Sequence, residues 1–142
     1  MHVLNVASAA GLLCPPGMAP YNLTKAAVIA LSETLRSELA DTPIGVTVLC
    51  PTFFATNIHR SARGADEDFR TFADKLMQKS KLDAGDVARL ALDGCDQKTL
   101  YVVPHADGRW MWRVKRMIPG PFATLAKRVI ASQAKKLGVE YR

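Results

Sequence analysis

The sequence predicts an α/β domain built on a parallel, doubly wound sheet, and three observations predict it. Two short apolar runs, residues 3–7 and 45–50, flank one long segment with helical periodicity. Each run stops at loop-forming residues: Gly11, Pro15, Pro16 and Gly17 follow the first, and Pro51 closes the second. A third β-rich run, residues 100–103, follows another helical segment and ends at Pro104. Strand, helix, strand makes parallel neighbours with a right-handed crossover. The near-continuous apolar character of the first two runs suits a sheet covered on both faces.

In chain order, Val3-Leu4-Asn5-Val6-Ala7 reads as a buried strand, and residues 8–20 as a non-helical loop rich in glycine and proline. From Tyr21 to Ala40 the period becomes 3.6, with Val28, Leu31, Leu35 and Leu39 on one stripe that Ile29 widens. Pro43 and Gly45 stop that helix. Residues 52–65 read as a loop, and residues 66–79 as a helix over it carrying Phe69, Phe72, Leu76 and Met77. Asp83 reads as the N-cap of a helix to about Gln97, with Val87, Leu90 and Ala91 inward. Two helical segments, about 108–118 and 121–137, are split by Pro119-Gly120. The domain boundary is expected between residues 107 and 108, separating an α/β region from a helical tail.

Bulk properties narrow the function classes. With 142 residues, 49% apolar and 23% charged, the chain has ordinary globular composition and enough length for one core. No apolar run reaches the ~18 residues of a membrane span. The start has no charged region leading into a long apolar stretch, so no signal peptide is read. Cys14, Cys50 and Cys95 are far apart, as are His2, His59 and His105, which argues against a zinc site or a disulfide framework. A reducing, cytoplasmic setting is expected. The net charge of +6 is uneven: residues 1–108 carry 10 Lys/Arg and 12 Asp/Glu, residues 109–142 carry 9 Lys/Arg and one acid.

Tyr21 and Lys25 stand at i and i+4, on one face of the long helix. A phenol with an ordinary pKa near ~10 is a poor acid or base at neutrality. An ammonium one turn away favours the phenolate. Ser8 lies at the carboxyl end of the preceding strand, where open α/β sheets bind ligands, and a hydroxyl there can hold a substrate carbonyl against the phenol. Taken singly, a Tyr and Lys at this spacing or a Ser after a strand are commonplace; their order and spacing together are specific.

That ordered pattern resembles the short-chain dehydrogenase/reductase family: Asn5-Val6-Ala7-Ser8-Ala9-Ala10-Gly11, then Tyr21 and Lys25, then Pro51 after the next strand. The resemblance implies a Rossmann-like sheet and an NAD- or NADP-dependent oxidoreductase interconverting an alcohol and a carbonyl by hydride transfer. It implies Tyr21 as general acid/base, Lys25 as its electrostatic partner and a contact of the nicotinamide ribose, and Ser8 as the group that orients the substrate. It further implies cofactor contacts from Pro51, Thr52, Phe53 and Thr56. Thr52 stands where the family usually has glycine, which leaves the local backbone path open.

The nine glycines include no two separated by a single residue, so the family's phosphate-binding turn is not among these residues. Nor is the family's catalytic Asn; Asn5 reads as a strand residue that organises the strand ends. The expectation is the C-terminal catalytic part of a longer enzyme, with little activity alone, or else a non-catalytic interaction fragment. Partners expected are a small-molecule alcohol or carbonyl of hydrophobic character and, for the intact protein, a second copy of the chain. Phe53, Phe54, Phe69 and Phe72 read as packing or as an apolar cover over substrate. In the tail, Phe122, Leu125, Ala126, Val129, Ile130 and Ala134 form an apolar stripe opposite Lys127, Arg128, Lys135 and Lys136, preceded by Arg109-Trp110-Met111-Trp112-Arg113. A helix packed on the domain with a solvated basic face is one reading and contact with an anionic membrane surface is another; nucleic acid is not expected.

Overall fold

The computed structural model describes residues 1–56 and 67–139. Three strands, β1 (His2–Val6), β2 (Gly45–Leu49) and β3 (Tyr101–Val102), form a parallel sheet in the order β1-β2-β3. β1 pairs with β2 from His2↔Gly45 to Val6↔Leu49, and β2 with β3 at Val48↔Tyr101 and Leu49↔Val102. The helices are α1 (Ala9–Leu13), α2 (Ala19–Glu38), α3 (Glu67–Gln78), α4 (Ala84–Asp96), α5 (Ala106–Met117) and α6 (Pro119–Lys136).

β2 is buried at every residue because helices cover both its faces. Side chains alternate across a strand. Val48 and Cys50 face one core with Leu12 of α1, Ile29 of α2 and Val103, and Trp112 of α5 packs against it. Leu49 faces the other, with Val87 and Ala91 of α4. The Rossmann-like, doubly wound arrangement is therefore present. β1 is less covered than expected: Leu4 and Val6, on one face, are exposed, Val6 to 57%. Among the described residues β1 has a neighbour on one edge only.

Other departures have local causes. Residues 9–13 form a short helix rather than loop, because Ser8 caps it and Cys14 closes it in the left-handed region at φ 53°. The inner face of α2 is Asn22, Ile29 and Ser32 rather than the leucine stripe, and Leu31 is 53% exposed. Ser32 is buried because its hydroxyl is satisfied: Oγ donates to Val28 O at 2.7 Å and accepts from Asn5 Nδ2 at 2.9 Å. Asn5 thus ties β1 to α2. In α4, Val87, Ala91 and Gly94 face inward while Leu90 is exposed. Gly94 leaves room for Val102, whose Cγ2 would overlap a Cβ there. Asp83 caps α4 as expected, in a reciprocal box with Asp86.

The C-terminal helices pack back onto the domain. Trp112 packs at a tilt against Tyr101 with ring centroids 4.8 Å apart and receives Arg116 at 5.6 Å, whereas Trp110 is exposed. Phe122 and Ala134 of α6 are buried, while Leu125 and Val129 are exposed, so the inward stripe is narrower than the sequence suggests. Phe72 of α3 packs with Ala134 and Val139, and Lys75 Nζ donates to Leu137 O at 2.6 Å. Phe72 is therefore packing; the side chain of Phe69 and the part of the 52–65 loop from residue 57 on lie outside the described residues. No described helix is long and apolar enough to cross a membrane.

Candidate active site

The site begins where β1 ends. Pairing with β2 continues past Val6: Ala7 N–H donates to Leu49 O and Ala9 N–H to Pro51 O, both at 2.9 Å. Ser8, between them, is extended and its Oγ accepts the Ala10 N–H at 3.1 Å, a side-chain N-cap. The same hydroxyl faces Pro51 O at 3.5 Å. A contact that long is weak, which leaves the hydroxyl proton available to a better-placed acceptor.

Pro20 in the first turn starts α2, where its fixed φ and missing N–H are harmless. Asn22 Nδ2 donates to Pro15 O at 2.8 Å and fastens the preceding loop to the helix. Tyr21 and Lys25 lie one turn apart, with Lys25 Nζ 5.7 Å from the Tyr21 ring centroid. That ammonium also donates to Val6 O at 3.2 Å. Lys25 therefore joins the phenol to the end of β1, two residues before Ser8. Gly11 permits this approach: a Cβ there would lie 2.7 Å from the Lys25 carbonyl carbon and 2.8 Å from Ala26 N.

The 51–56 segment leaves the carboxyl end of β2. Pro51 is buried, and Thr52, Phe53 and Thr56 are half-buried along the same loop. Thr52 N–H donates to His105 Nδ1 at 3.3 Å. Phe54 packs against Leu49 and Val87, with its ring 6.3 Å from that of His105. Beneath the site, burial pushes the Cys50 thiol up to about 12, with Lys25 and Ser8 opposing. Cys50 is a neutral core residue, not a nucleophile. Burial also lowers the pKa of His105, with Asp107 opposing and Arg109 adding to the fall.

Ser8, Lys25 and Pro51 thus lie at the carboxyl ends of β1 and β2, the side of an open parallel sheet that receives ligands, with Tyr21 beside Lys25 and Thr52, Phe53 and Thr56 following Pro51 along the chain. Sequence reasoning missed α1 and His105. The signal for His105 was its place directly after Pro104, at the carboxyl end of the third strand. Among the described residues no group of three His, Cys, Asp or Glu could hold a metal ion.

The family model described as short chain dehydrogenase matches residues 2–67, the stretch that contains all seven of these residues. A Mycobacterium tuberculosis relative named as an oxidoreductase, SadH, is 37% identical over 90 residues, 61% of this chain and 33% of its own length. A short chain dehydrogenase/reductase from Burkholderia phymatum, solved with NAD, superposes with a TM-score of 0.68 at 33% identity, over 82% of this chain and 47% of that one. Over residues 2–67 this chain matches the short-chain dehydrogenase/reductase family. A second short-chain dehydrogenase, from Sphingobium yanoikuyae and solved with NADPH, matches with a TM-score of 0.61 at 30% identity, over 77% of this chain and 40% of that one. The chain therefore spans about half or less of the length of these short-chain dehydrogenases. Its three parallel strands and flanking helices are the part of the family fold it holds.

Proposed function

We propose that this chain carries the catalytic side chains of an NAD- or NADP-dependent oxidoreductase that interconverts an alcohol and a carbonyl. One observation carries the reading: Tyr21 and Lys25 open a helix whose ammonium is bonded at 3.2 Å to the end of the strand that presents Ser8. The cofactor class follows the Burkholderia and Sphingobium relatives, solved with NAD and NADPH. The residues present fit its nicotinamide end. The Lys25 ammonium bonds to the end of β1, the Ser8 hydroxyl faces the backbone carbonyl of Pro51, and Val6 is exposed beside them.

When bound, the nicotinamide gives or takes the hydride. The chain's own residues handle the proton. In carbonyl reduction the Tyr21 hydroxyl protonates the substrate oxygen as the carbon becomes an alcohol; in alcohol oxidation the phenolate takes that proton. The Lys25 ammonium, 5.7 Å from the Tyr21 ring centroid and bonded to Val6 O, ties the phenol's helix turn to the strand end. The Ser8 hydroxyl, weakly held at Pro51, turns to the substrate oxygen and aligns it with the phenol.

In the intact protein, Tyr21→Phe is expected to lower kcat by at least 10²-fold while leaving the thermal midpoint within a degree or two. Steady-state rates and thermal unfolding measured side by side check this, and a variant with undiminished turnover would sink the enzymatic reading in favour of a non-catalytic interaction role. The 142 residues contain no glycine-rich phosphate-binding turn. The chain alone is therefore expected to oxidise NADH or NADPH hardly at all with a panel of ketones and aldehydes; robust turnover would contradict that.

A further inference from the structure

Pro51 and Thr52 share one peptide group, and both its ends are held. The carbonyl accepts the Ala9 N–H at 2.9 Å and faces the Ser8 hydroxyl at 3.5 Å. The N–H donates to His105 Nδ1 at 3.3 Å. We propose that the start of α5, through His105 and Gly108, is a positioning element that sets this peptide and, through it, the 51–56 loop and the Ser8 hydroxyl. The inference rests on the enzymatic reading above for its functional consequence, but the clasp itself can be tested without it.

Hydrogen-bond bookkeeping defines the state of the imidazole. A backbone N–H only donates, so Nδ1 must accept and carry no proton. The ring proton then sits on Nε2, which faces Ser80 Oγ at 3.4 Å. Ser80 Oγ in turn accepts the Leu82 N–H at 3.2 Å and reaches Leu82 O at 3.0 Å, where it donates. Neutral His105 thus joins the loop after β2 to the turn before α4. A second proton would set N–H against N–H at Thr52 and open the clasp.

Gly108 supplies the steric half. A Cβ there would lie 2.7 Å from Thr52 Cγ2 and 3.4 Å from Val103 Cγ1. The Thr52 methyl therefore occupies space that exists only because position 108 has no side chain. Arg109 steadies the same turn, donating to Val103 O and Pro104 O at 2.7 Å each. The charged groups acting on His105 are Asp107 and Arg109. The 51–56 side offers it an amide and the Phe54 ring, and the α3–α4 side a hydroxyl, with Lys79 and Lys81 exposed beside it. Burial keeps the ring neutral at physiological pH.

The test is nitrogen-15 NMR on the full 142-residue chain. The His105 ring is expected in the Nε2–H form, and the Thr52 amide shift is expected to titrate with the same midpoint as the ring. Below that midpoint Thr52 amide exchange should speed up at least tenfold. His105→Asn, whose Oδ1 can replace Nδ1, should keep the amide protected and abolish its titration; His105→Ala should leave it unprotected at every pH. Gly108→Ala should displace the Thr52 signals, and adding Thr52→Ser, which removes the methyl, should restore them. In the intact enzyme the same pair should raise and then restore the KM for NAD(P)H, with kcat less affected. A Thr52 amide that ignores the His105 titration, or stays protected in His105→Ala, overturns the clasp whatever Tyr21→Phe does. Turnover surviving Tyr21→Phe overturns the enzymatic reading and leaves the amide titration untouched.

Discussion

A methyl group at position 11 would have to fit between two backbones. It would lie 2.7 Å from the Lys25 carbonyl carbon, 2.8 Å from Ala26 N and 2.8 Å from Ile29 Cδ1. Main chain cannot yield as the end of a flexible side chain can, so Gly11→Ala must drive α1 away from α2. Overpacking of this kind destabilises by about 1–3 kcal/mol. The displacement falls on the turn that carries Lys25 and pulls against its bond to Val6 O. Chemical unfolding of Gly11→Ala should show the loss in midpoint without a change in m; a variant as stable as the parent would mean that α1 slides freely over α2. Ser8 illustrates a related economy at single-residue scale. Its Oγ caps α1 by accepting from Ala10 while its proton stays loosely engaged at Pro51. One hydroxyl can thus hold a helix and remain available to a substrate.

At the scale of elements, α4 is the wall of the second core, and its N-terminus is secured by Asp83. Asp83 Oδ1 accepts the Asp86 N–H at 2.8 Å, and Asp86 Oδ2 accepts the Asp83 N–H at 3.3 Å. Asp83→Ala removes one side of that box and should lower stability by about 1 kcal/mol, seen as a lower urea midpoint; no change would mean that the first turn of α4 is held by packing alone. This cap was legible in the sequence, as were the three strands, α2 and the Ser8, Tyr21, Lys25 spacing, because each rests on local pattern. What was not legible depends on contacts between distant residues. The inner face of α2 goes to Ser32 rather than Leu31 because Asn5, 27 residues away, satisfies the hydroxyl. Leu90 points outward because α4 must present Gly94 to Val102. α1 hides in a glycine- and proline-rich stretch because five residues are too few to show a period. His105 looks solitary until the fold brings it to Thr52, 53 residues earlier.

At the scale of the whole molecule, buried titratable groups on either side of the central strand shape how stability depends on pH. His105 has its pKa lowered on folding from an ordinary 6.5 by burial. Its neutral form is the native one, so the unfolded chain binds the proton first as pH falls. The stability it permits is intact above about 6.5 and is lost progressively below it. Cys50 acts in the opposite sense. Burial raises its thiol from 9.0 to about 12, so the unfolded chain loses its proton first as pH rises. That stability is present below about 9 and is lost between 9 and 12. Tyr101, raised by burial and by its hydrogen bond to Glu33, adds to the alkaline fall. The molecule should therefore show a plateau of stability from about pH 6.5 to 9, with shoulders on both sides. Cys50, the most buried of the three, can contribute a slope of up to about 1.4 kcal/mol per pH unit where only the unfolded state titrates, and the more exposed His105 and Tyr101 contribute less. Urea midpoints measured from pH 5 to 11 on the parent, His105→Asn and Cys50→Ala separate the terms. His105→Asn should flatten the acid shoulder below about 6.5 and leave the alkaline one unchanged, while Cys50→Ala should reduce the alkaline shoulder to the part Tyr101 contributes and leave the acid one unchanged. The parent and variants would follow parallel curves if these side chains titrated alike in both states, and that result would remove His105 and Cys50 as the cause of either shoulder.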